Sequence, residues 1–392
     1  MVQTMGKNTD LIKKAETYLG DGGSRFRRYC GLPAGAAWCN AFVTYMFYIT
    51  GNKKRYCNGA KETYCPHSIE WCYKNLALLP LYMALPGDVI YFDWQPNGTP
   101  DHIGFVKERI TDQKIGTIEG NTTSEEIVAK RVRTEAEVQG VFRIQYPADY
   151  KIGALKADGE FGYSSIAMMQ LVLGIKVDGI MGQETVKAWQ DLVGVKEDGW
   201  WGPKTSKATQ ELIGVKTDGW FGPKSVKALQ KWINRHSIGA LANYYAYTTN
   251  AKKADYETGS PKAEYKTALN KAYPDRDSWG TGARKGASCD VFVGTCVRSS
   301  GVDPEFPRGL KEQIPYLAKS DKFKQVNVTV ASAKDGDIIV YTKQGGGAHI
   351  CIVYDGKIKE ASHDMYYPKT TNYLKQRLNT AKKHWVRVYR VR

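Results

Sequence analysis

The sequence has no long apolar run and no leader-like beginning, and these absences limit where the protein acts. The first ten residues are mostly polar and lack the apolar segment of a secretory signal. We therefore expect synthesis in a cytoplasm without export by that route. No segment approaches the roughly 18 consecutive apolar residues that a membrane helix requires, so we also expect no membrane span.

Sequence motifs for bound metal are missing as well. Cys57, Cys65, His67 and Cys72 fall in one segment, but their gaps lack the CxxC pairs of structural zinc sites, so a zinc site is the weaker alternative. Turns of the form Asp-Gly-x-x-Gly lack the alternating carboxylates of an EF-hand loop. We predict no metal and no other cofactor, and we expect the eight cysteines to be thiols.

Positive charge, by contrast, is abundant. The formal net charge is +16, and the last third of the chain supplies most of the excess. Such a surface attracts polyanions over long distances. The basic residues are scattered and no nucleic-acid recognition motif accompanies them, so we do not expect nucleic acid as the partner. A basic surface that serves only solubility is the alternative.

The clearest chemical signal is a cysteine at the beginning of an apolar helix. Residues 41–49 are an apolar run that predicts a buried helix, which places Cys39 in its first turn. The unpaired N–H groups and the helix dipole at that turn favour a thiolate.

The chain later supplies the partners that a thiol nucleophile needs. His102 precedes a strand-like run, and Glu119 and Asn121 lie two residues apart in the next strand, on one face of the sheet. A nucleophilic thiol requires a base, and the base requires a third group that orients it. A buried structural cysteine and a core histidine are the alternative.

Four ordered blocks around these residues resemble the CHAP family, whose members are cysteine- and histidine-dependent amidohydrolases and peptidases that cut bacterial peptidoglycan. The resemblance covers residues 8–146, and its blocks are residues 37–43, 85–90, 101–104 and 118–122. It implies a compact papain-like α+β fold. An anionic bacterial wall would also suit the basic surface.

The resemblance assigns roles to individual residues. It implies Cys39 as the nucleophile, His102 as the base, Glu119 as the orienting group and Asn121 as support. Some family members carry an Asp-rich calcium loop before the cysteine. Residues 29–37 contain no carboxylate, so we expect that calcium site to be absent.

The same part of the chain predicts the elements that carry the site. We expect helices over residues 8–20, 41–49 and 66–76, and strands over 88–93, 103–109, 114–119, 128–133 and 140–144. Trp38 and Trp94 could line a substrate groove, and core packing is the equal alternative for each.

A repeat occupies the middle of the chain. Asp-Gly-x-x-Gly recurs at a period of 20 residues, at 158–162, 178–182, 198–202 and 218–222, each time before a helical stretch. One turn and helix cannot bury its apolar face alone, so neighbouring copies must stack. The repeat resembles the signature of helical peptidoglycan-binding modules; a plain spacer is the alternative.

Aromatic residues follow the Asp-Gly pair in the last two copies. The resemblance implies wall binding, and exposed aromatic rings on turns commonly stack on ligands. We therefore expect four exposed wall-binding residues, Trp200, Trp201, Trp220 and Phe221.

The last third of the chain repeats the logic of the first. Cys289 stands at a predicted helix start, His349 enters a strand, and the strand after the Asp-Gly hairpin turn could present Glu360 to His349. Over about residues 240–392 this resembles the NlpC-type papain-like cell-wall peptidases. That family usually has His or another polar residue where Glu360 stands, so Ser362 and His363 are alternatives for the third role.

These resemblances together imply α+β architecture with two papain-like cysteine hydrolase domains joined by a small all-α repeat module. The expected domains are residues 1–147, 150–236 and 237–392. The implied function is that of a phage endolysin, an endopeptidase or N-acetylmuramoyl-L-alanine amidase that acts on peptidoglycan. A bacterial autolysin, a tail-associated lysin, or a wall-binding protein with an inactive catalytic domain are the alternatives.

Overall fold

The computed structural model describes residues 8–111, 113–146, 150–246, 263–275, 288–343, 347–360, 369–371 and 384–392. These residues form a mixed α+β structure, which confirms the predicted class. The chain divides into two compact units, here called the first unit (residues 1–150 and 157–229) and the second unit (residues 151–156 and 230–392). Within the described ranges, no helix combines the length and apolarity needed to cross a membrane.

The first unit opens with four helices, α1 (Asn8–Glu16), α2 (Ser24–Cys30), α3 (Cys39–Ile49) and α4 (Cys65–Asn75). Helix α3 is apolar on nearly all sides and is correspondingly buried. It begins two residues before the predicted run of 41–49, and Cys39 lies in its first turn, as predicted. The prediction of a helix near residues 66–76 is also confirmed, whereas α1 ends earlier than expected.

Six strands of the first unit form one antiparallel sheet. They are β1 (Leu78–Leu79), β2 (Val89–Phe92), β3 (His102–Arg109), β4 (Lys114–Thr122), β5 (Ile127–Thr134) and β6 (Val138–Phe142). Their order across the sheet is β1-β6-β2-β3-β4-β5. Helix α3 packs against β3 and β4, and Phe42 and Phe47 of the helix meet Phe105 of β3 in edge-to-face contacts. This packing brings the first turn of α3 to the strands that carry the predicted partners.

The repeats belong to the first unit as far as Leu229. Their helices are α5 (Tyr163–Leu173), α6 (Gln183–Val193), α7 (Pro203–Leu212) and α8 (Pro223–Tyr245). A buried glutamine near the end of one helix holds the following Asp-Gly turn. Gln190 donates to the Asp198 carboxylate at 2.8 Å and accepts from the Gly199 N–H at 2.9 Å. Gln170 and Gln210 make the same contacts with their own turns, which explains the constant period.

The expected exposure of the aromatic turn residues is wrong for two of the four. Trp201 and Phe221 are 1% and 2% exposed, and their rings pack edge to face at 5.3 Å. Trp200 and Trp220 are 39% and 38% exposed. Tertiary packing explains the difference, because a turn residue that follows an Asp-Gly pair can point into the stack of repeats as readily as outward.

The two partly exposed tryptophans also contact the preceding part of the first unit. Trp200 lies 5.2 Å from Tyr73, and Trp220 lies 6.2 Å from Tyr82, measured between ring centroids. The backbone N–H of Trp201 donates to the carbonyl of Leu78 at 3.0 Å. The repeats are therefore packed into the same compact body as α1–α4 and the first sheet.

The second unit contains α9 (Ala263–Ala272), α10 (Cys289–Ser300) and α11 (Leu310–Lys319). Its strands are β7 (Phe323–Val326), β8 (Ile338–Lys343), β9 (Ala348–Tyr354), β10 (Lys357–Glu360), β11 (Lys369–Thr371) and β12 (His384–Val391). They form an antiparallel sheet in the order β7-β12-β8-β9-β10-β11. Numbered within its own unit, this is the same strand order as in the first sheet.

An arginine pairs with a buried aspartate at the same place in both sheets. Asp88, just before β2, accepts from Arg143 Nε at 2.8 Å, and Asp337, just before β8, accepts from Arg390 Nε and Nη2 at 2.7 Å each. In each unit the carboxylate also caps a backbone N–H three residues earlier. The shared strand order and shared ion pair show one architecture used twice.

Replacing Asp88 by Ala should destabilise the first unit selectively. The change leaves Arg143 buried without its counter-charge, which costs about 3–5 kcal/mol. Urea unfolding of the full chain, followed by limited proteolysis with peptide identification, assigns the loss to one unit. Asp337→Ala should destabilise the second unit instead. Lys357→Ala, which removes an exposed ion pair, is the control, and equal effects of all three variants would contradict the prediction.

Candidate active site

The first candidate site is built on the first turn of α3. Cys39 is the first residue of the helix and is 6% exposed. Trp38, which precedes it, is fully buried and stacks on Phe26 at 5.0 Å between centroids, so it belongs to the core and does not line a groove. No side chain caps the helix, so its first N–H groups remain available to an anion.

His102, the first residue of β3, is buried beside this turn. Its Nε2 atom lies 3.1 Å from Glu119 Oε2, without the alignment of a good hydrogen bond. Since Nε2 faces Glu119, Nδ1 is the nitrogen available to the Cys39 sulfur. Burial alone would lower the pKa of His102, but its contacts with Cys39 and Glu119 raise it to about 9.

The pKa of the Cys39 thiol is shifted in the opposite direction, below its usual value. A hydrogen bond with Cys65 is the largest cause that lowers its pKa; burial opposes it, and His102 and the Asn40 N–H lower it further. Cys39 is therefore the member of the site that loses its proton first, and His102 the one that holds a proton. A thiolate beside an imidazolium is the reactive state of a cysteine nucleophile.

Glu119 is completely buried in β4 and is fixed from three sides. Arg133 of β5 donates to it through Nε at 2.9 Å and Nη2 at 2.6 Å, and Thr117 Oγ1 donates at 2.5 Å. Burial would raise the pKa of Glu119, but the hydrogen bonds from Arg133 and the contact with His102 lower it to about 2. The carboxylate therefore stays charged and holds the imidazole ring in one orientation.

Gly104 provides the space that this contact requires. A Cβ atom at this position would lie 2.6 Å from Glu119 Cγ and 3.0 Å from the carbonyl oxygen of Ile118. The first distance is closer than packed atoms approach, and the second is at the tight end of the observed range. Only glycine leaves the Glu119 side chain room beside β3 to reach His102.

Asn121 occupies a different setting from Glu119. The pairing of β4 with β5 shifts register between Glu119 and Thr122, and Asn121 has a left-handed φ of +57°. Its Oδ1 atom is buried and makes no hydrogen bond within the described part of the chain. The structure thus gives His102 a contact with Glu119 and shows none with Asn121, because the bulge interrupts the simple alternation of side chains.

Trp94 forms the exposed rim of the site. It is 46% exposed, and its ring stacks on His102 at 5.2 Å with an interplanar angle of 24°. The Arg133 guanidinium lies 5.1 Å from the same ring, and Asp101 fixes the loop by accepting from the Trp94 N–H at 2.7 Å. Of the two predicted groove tryptophans, only Trp94 is at the surface.

Two residues of this site were not assigned to it from the sequence. Arg133 is one of several basic residues on β5, and strand alternation alone does not show which of them turns toward Glu119. Cys65, considered above only as a zinc ligand, has its sulfur 3.7 Å from the Cys39 sulfur. Among the described residues, no three His, Cys, Asp or Glu side chains gather in a metal-binding group.

The second unit holds a matching arrangement. Cys289 is the first residue of α10 and is 9% exposed, and α10 packs against β9 and β10. His349 Nε2 lies 2.6 Å from Oε2 of the buried Glu360. Burial would lower the pKa of His349, but contacts with Cys289 and Glu360 raise it to about 9. The alternatives Ser362 and His363 lie outside the described residues.

The histidine and glutamate occupy corresponding strands in the two sheets. In the first, His102 is on β3 and Glu119 on β4; in the second, His349 is on β9 and Glu360 on β10. The registers also correspond, because Phe105 pairs with Ile118 and Ile352 with Lys359. The cysteine, histidine and glutamate therefore occupy equivalent positions in the two units.

Glu119→Gln should narrow the pH range in which Cys39 is reactive. The neutral amide withdraws the charge that holds the pKa of His102 near 9, so the imidazolium is lost at lower pH and the thiolate forms less readily in acid. Alkylation of Cys39 by iodoacetamide, followed by site-resolved mass spectrometry, should slow by about tenfold at pH values below the acid limb of the parent's profile, for a shift of one unit of pKa.

Glu137→Gln is the matched control, because Glu137 contacts Arg133 at 3.3 Å and has no contact with His102 in the described part of the chain. It should leave the Cys39 profile close to that of the parent. Identical profiles for Glu119→Gln and the parent would remove Glu119 from the site.

Comparison with models of known protein families gives no match for this chain. Comparison with curated protein sequences gives no significant match either.

Proposed function

We propose that the protein is a peptidoglycan hydrolase that cleaves amide bonds with a cysteine nucleophile in each unit. The observation that carries this proposal is the buried set of Cys39, His102 and Glu119. A helix-start thiol, an imidazole with a raised pKa and an ionised carboxylate meet there in the order that cysteine hydrolysis requires. A helix-borne cysteine packed on an antiparallel sheet that carries the histidine supports a papain-like description of both units.

The geometry supports a thioester mechanism. The Cys39 thiolate attacks the amide carbonyl, and unpaired N–H groups of the first turn of α3 stabilise the oxyanion. The His102 imidazolium gives its proton to the leaving amine, while Glu119 holds the ring in place. Water then attacks the thioester and gives a proton to His102, which regenerates the thiolate. The same steps apply to Cys289 and His349, with Glu360 as the orienting group.

The substrate assignment draws on charge and on the sequence motifs. The net charge of +16 favours an anionic polymer, and the motif blocks resemble those of wall-cleaving enzymes. A phage endolysin, made in the host cytoplasm and acting on the wall, is the biological role that we propose. An autolysin or tail-associated lysin would use the same chemistry.

Cys39→Ala and Cys289→Ala test the two nucleophiles. Each single variant should lose the activity of its own unit, and the double variant should lyse purified cell walls at least about 10³-fold more slowly. Cys296→Ala is the control, because this cysteine is buried in α10. A double variant that clears wall suspensions as fast as the parent would overturn the proposal. Mass spectrometry of the released fragments identifies the bond that each unit cleaves.

The repeats are proposed to bind the wall through the two tryptophans that keep an exposed face, Trp200 and Trp220. Replacing both by Ala should reduce sedimentation of the protein with purified walls and leave cleavage of a soluble muropeptide nearly unchanged. Leu192→Ala and Leu212→Ala, at exposed apolar positions of the repeat helices, are matched controls. Equal loss of binding and cleavage would instead assign Trp200 and Trp220 a purely structural role.

A further inference from the structure

We infer that Cys65 is a second functional thiol of the first site, which donates a hydrogen bond to the Cys39 thiolate and holds it in its reactive form. The inference rests on the proposed role of Cys39 as nucleophile. It adds to the site a group that neither the CHAP-like motif blocks nor the proposed mechanism contains.

The contact is direct and enclosed. The two sulfur atoms lie 3.7 Å apart, both cysteines are free thiols and each is 6% exposed. Cys39 begins α3 and Cys65 begins α4, so the first turns of two helices face each other at the reacting atom. A thiol is a weak donor to neutral acceptors, but hydrogen bonds to a charged acceptor are stronger.

A buried polar network holds the two turns together. Asn40, next to the nucleophile, donates through Nδ2 to Ser68 Oγ at 2.9 Å, and Ser68 Oγ donates to the Cys65 carbonyl at 2.9 Å. The hydroxyl of Tyr91 donates to Ser68 at 2.8 Å, and that of Tyr56 donates to Asn40 Oδ1 at 2.7 Å. The two helix turns that carry the sulfur atoms are therefore held together by hydrogen bonds that do not involve the sulfurs.

The charges around the pair decide which sulfur keeps the proton. His102 contacts Cys39 and favours its thiolate. The hydrogen bond with Cys39 is the largest cause that raises the pKa of Cys65, followed by burial, and the carboxylates of Glu62 and Asp101 raise it further. Arg133 acts at greater distance, through Glu119. With Cys39 ionised and Cys65 protonated, Cys65 is the sulfur that can donate.

The second unit provides an internal comparison. All eight cysteines lie in the described part of the chain, and there no cysteine makes a hydrogen-bond contact of this kind with Cys289. The sulfur pair is thus a feature of the first site alone. We expect the Cys39 thiolate to depend on Cys65 in a way that the second site does not.

The experiment uses the full chain with Cys289→Ala, so that only the first site is active. Cys65→Ala removes the donor, and Cys65→Ser replaces the thiol by a hydroxyl that can still donate. Iodoacetamide alkylation of Cys39 is followed from pH 4 to pH 10 by site-resolved mass spectrometry, and wall lysis is measured over the same range. Cys30→Ala, at a thiol outside the site, is the control.

Cys65→Ala should shift the acid limb of Cys39 alkylation upward by about one pH unit, which slows alkylation by about tenfold at pH values below the limb. Cys65→Ser should restore most of that loss, and Cys30→Ala should show no shift. A purely structural role would lower the unfolding temperature in both Cys65 variants without moving the limb. An unmoved limb in a folded Cys65→Ala protein overturns the inference.

The outcome separates this inference from the proposed function. If Cys39→Ala fails to reduce wall lysis, the nucleophile assignment falls, whereas the alkylation profile still reports on the sulfur pair. If Cys39→Ala abolishes wall lysis by the first unit and Cys65→Ala leaves the pH profile of Cys39 alkylation unchanged, only the role of Cys65 is wrong.

Discussion

The close approach of helix α3 to strand β4 at Gly120 is the constraint on which the first site depends. A Cβ atom at Gly120 would lie 2.5 Å from Phe42 Cβ and 2.7 Å from the Trp38 ring, so any side chain there would push the helix away from the sheet. The Cys39 turn sits between Trp38 and Phe42. The absence of a side chain at one position of β4 thus sets how near the nucleophile lies to His102 and Glu119.

The second constraint is the Asp–Arg pair that joins the start of the second strand to the last strand of each sheet. Asp88 and Asp337 anchor the turn that leads into the central strand, and in each unit the same turn hydrogen-bonds to the strand that carries the histidine. Packing density within a core transmits small shifts, so a loosened turn would displace the histidine strand. The ion pair and the candidate site are therefore structurally connected, and this arrangement occurs once in each unit.

Local sequence pattern predicted the positions of site residues that lie at the start of a helix or a strand. A helix start predicts the position of Cys39, and a strand start that of His102, because periodicity and chain order determine both. Alternation predicted Glu119 and Asn121 on one face without choosing between them, and the orienting role of Glu119 came from the family resemblance. The bulge that separates the two settings depends on the pairing of β4 with β5, whose register no local pattern reveals.

Tertiary contacts account for what the sequence did not show. Cys65 is 26 residues from Cys39 and Arg133 is 14 residues from Glu119, and nothing in either segment marks the partner. Tertiary contacts also explain why two aromatic turn residues that were expected to be exposed are buried. Trp201 and Phe221 follow an Asp-Gly pair, as surface residues often do, but stacking of the repeats buries them.

Alternating charge explains how a site this deeply buried stays ionised. Arg133, Glu119, His102 and Cys39 form a line of positive, negative, positive and negative groups, and each lies against its neighbour. Isolated burial would favour the neutral form of Glu119, His102 or Cys39, since a lone charge loses several kcal/mol of hydration in a protein interior. In the line, each charge offsets the desolvation of the next, and the set carries no net charge. Cys39 stands at one end of this line, so the charges of the other three groups act together on its sulfur.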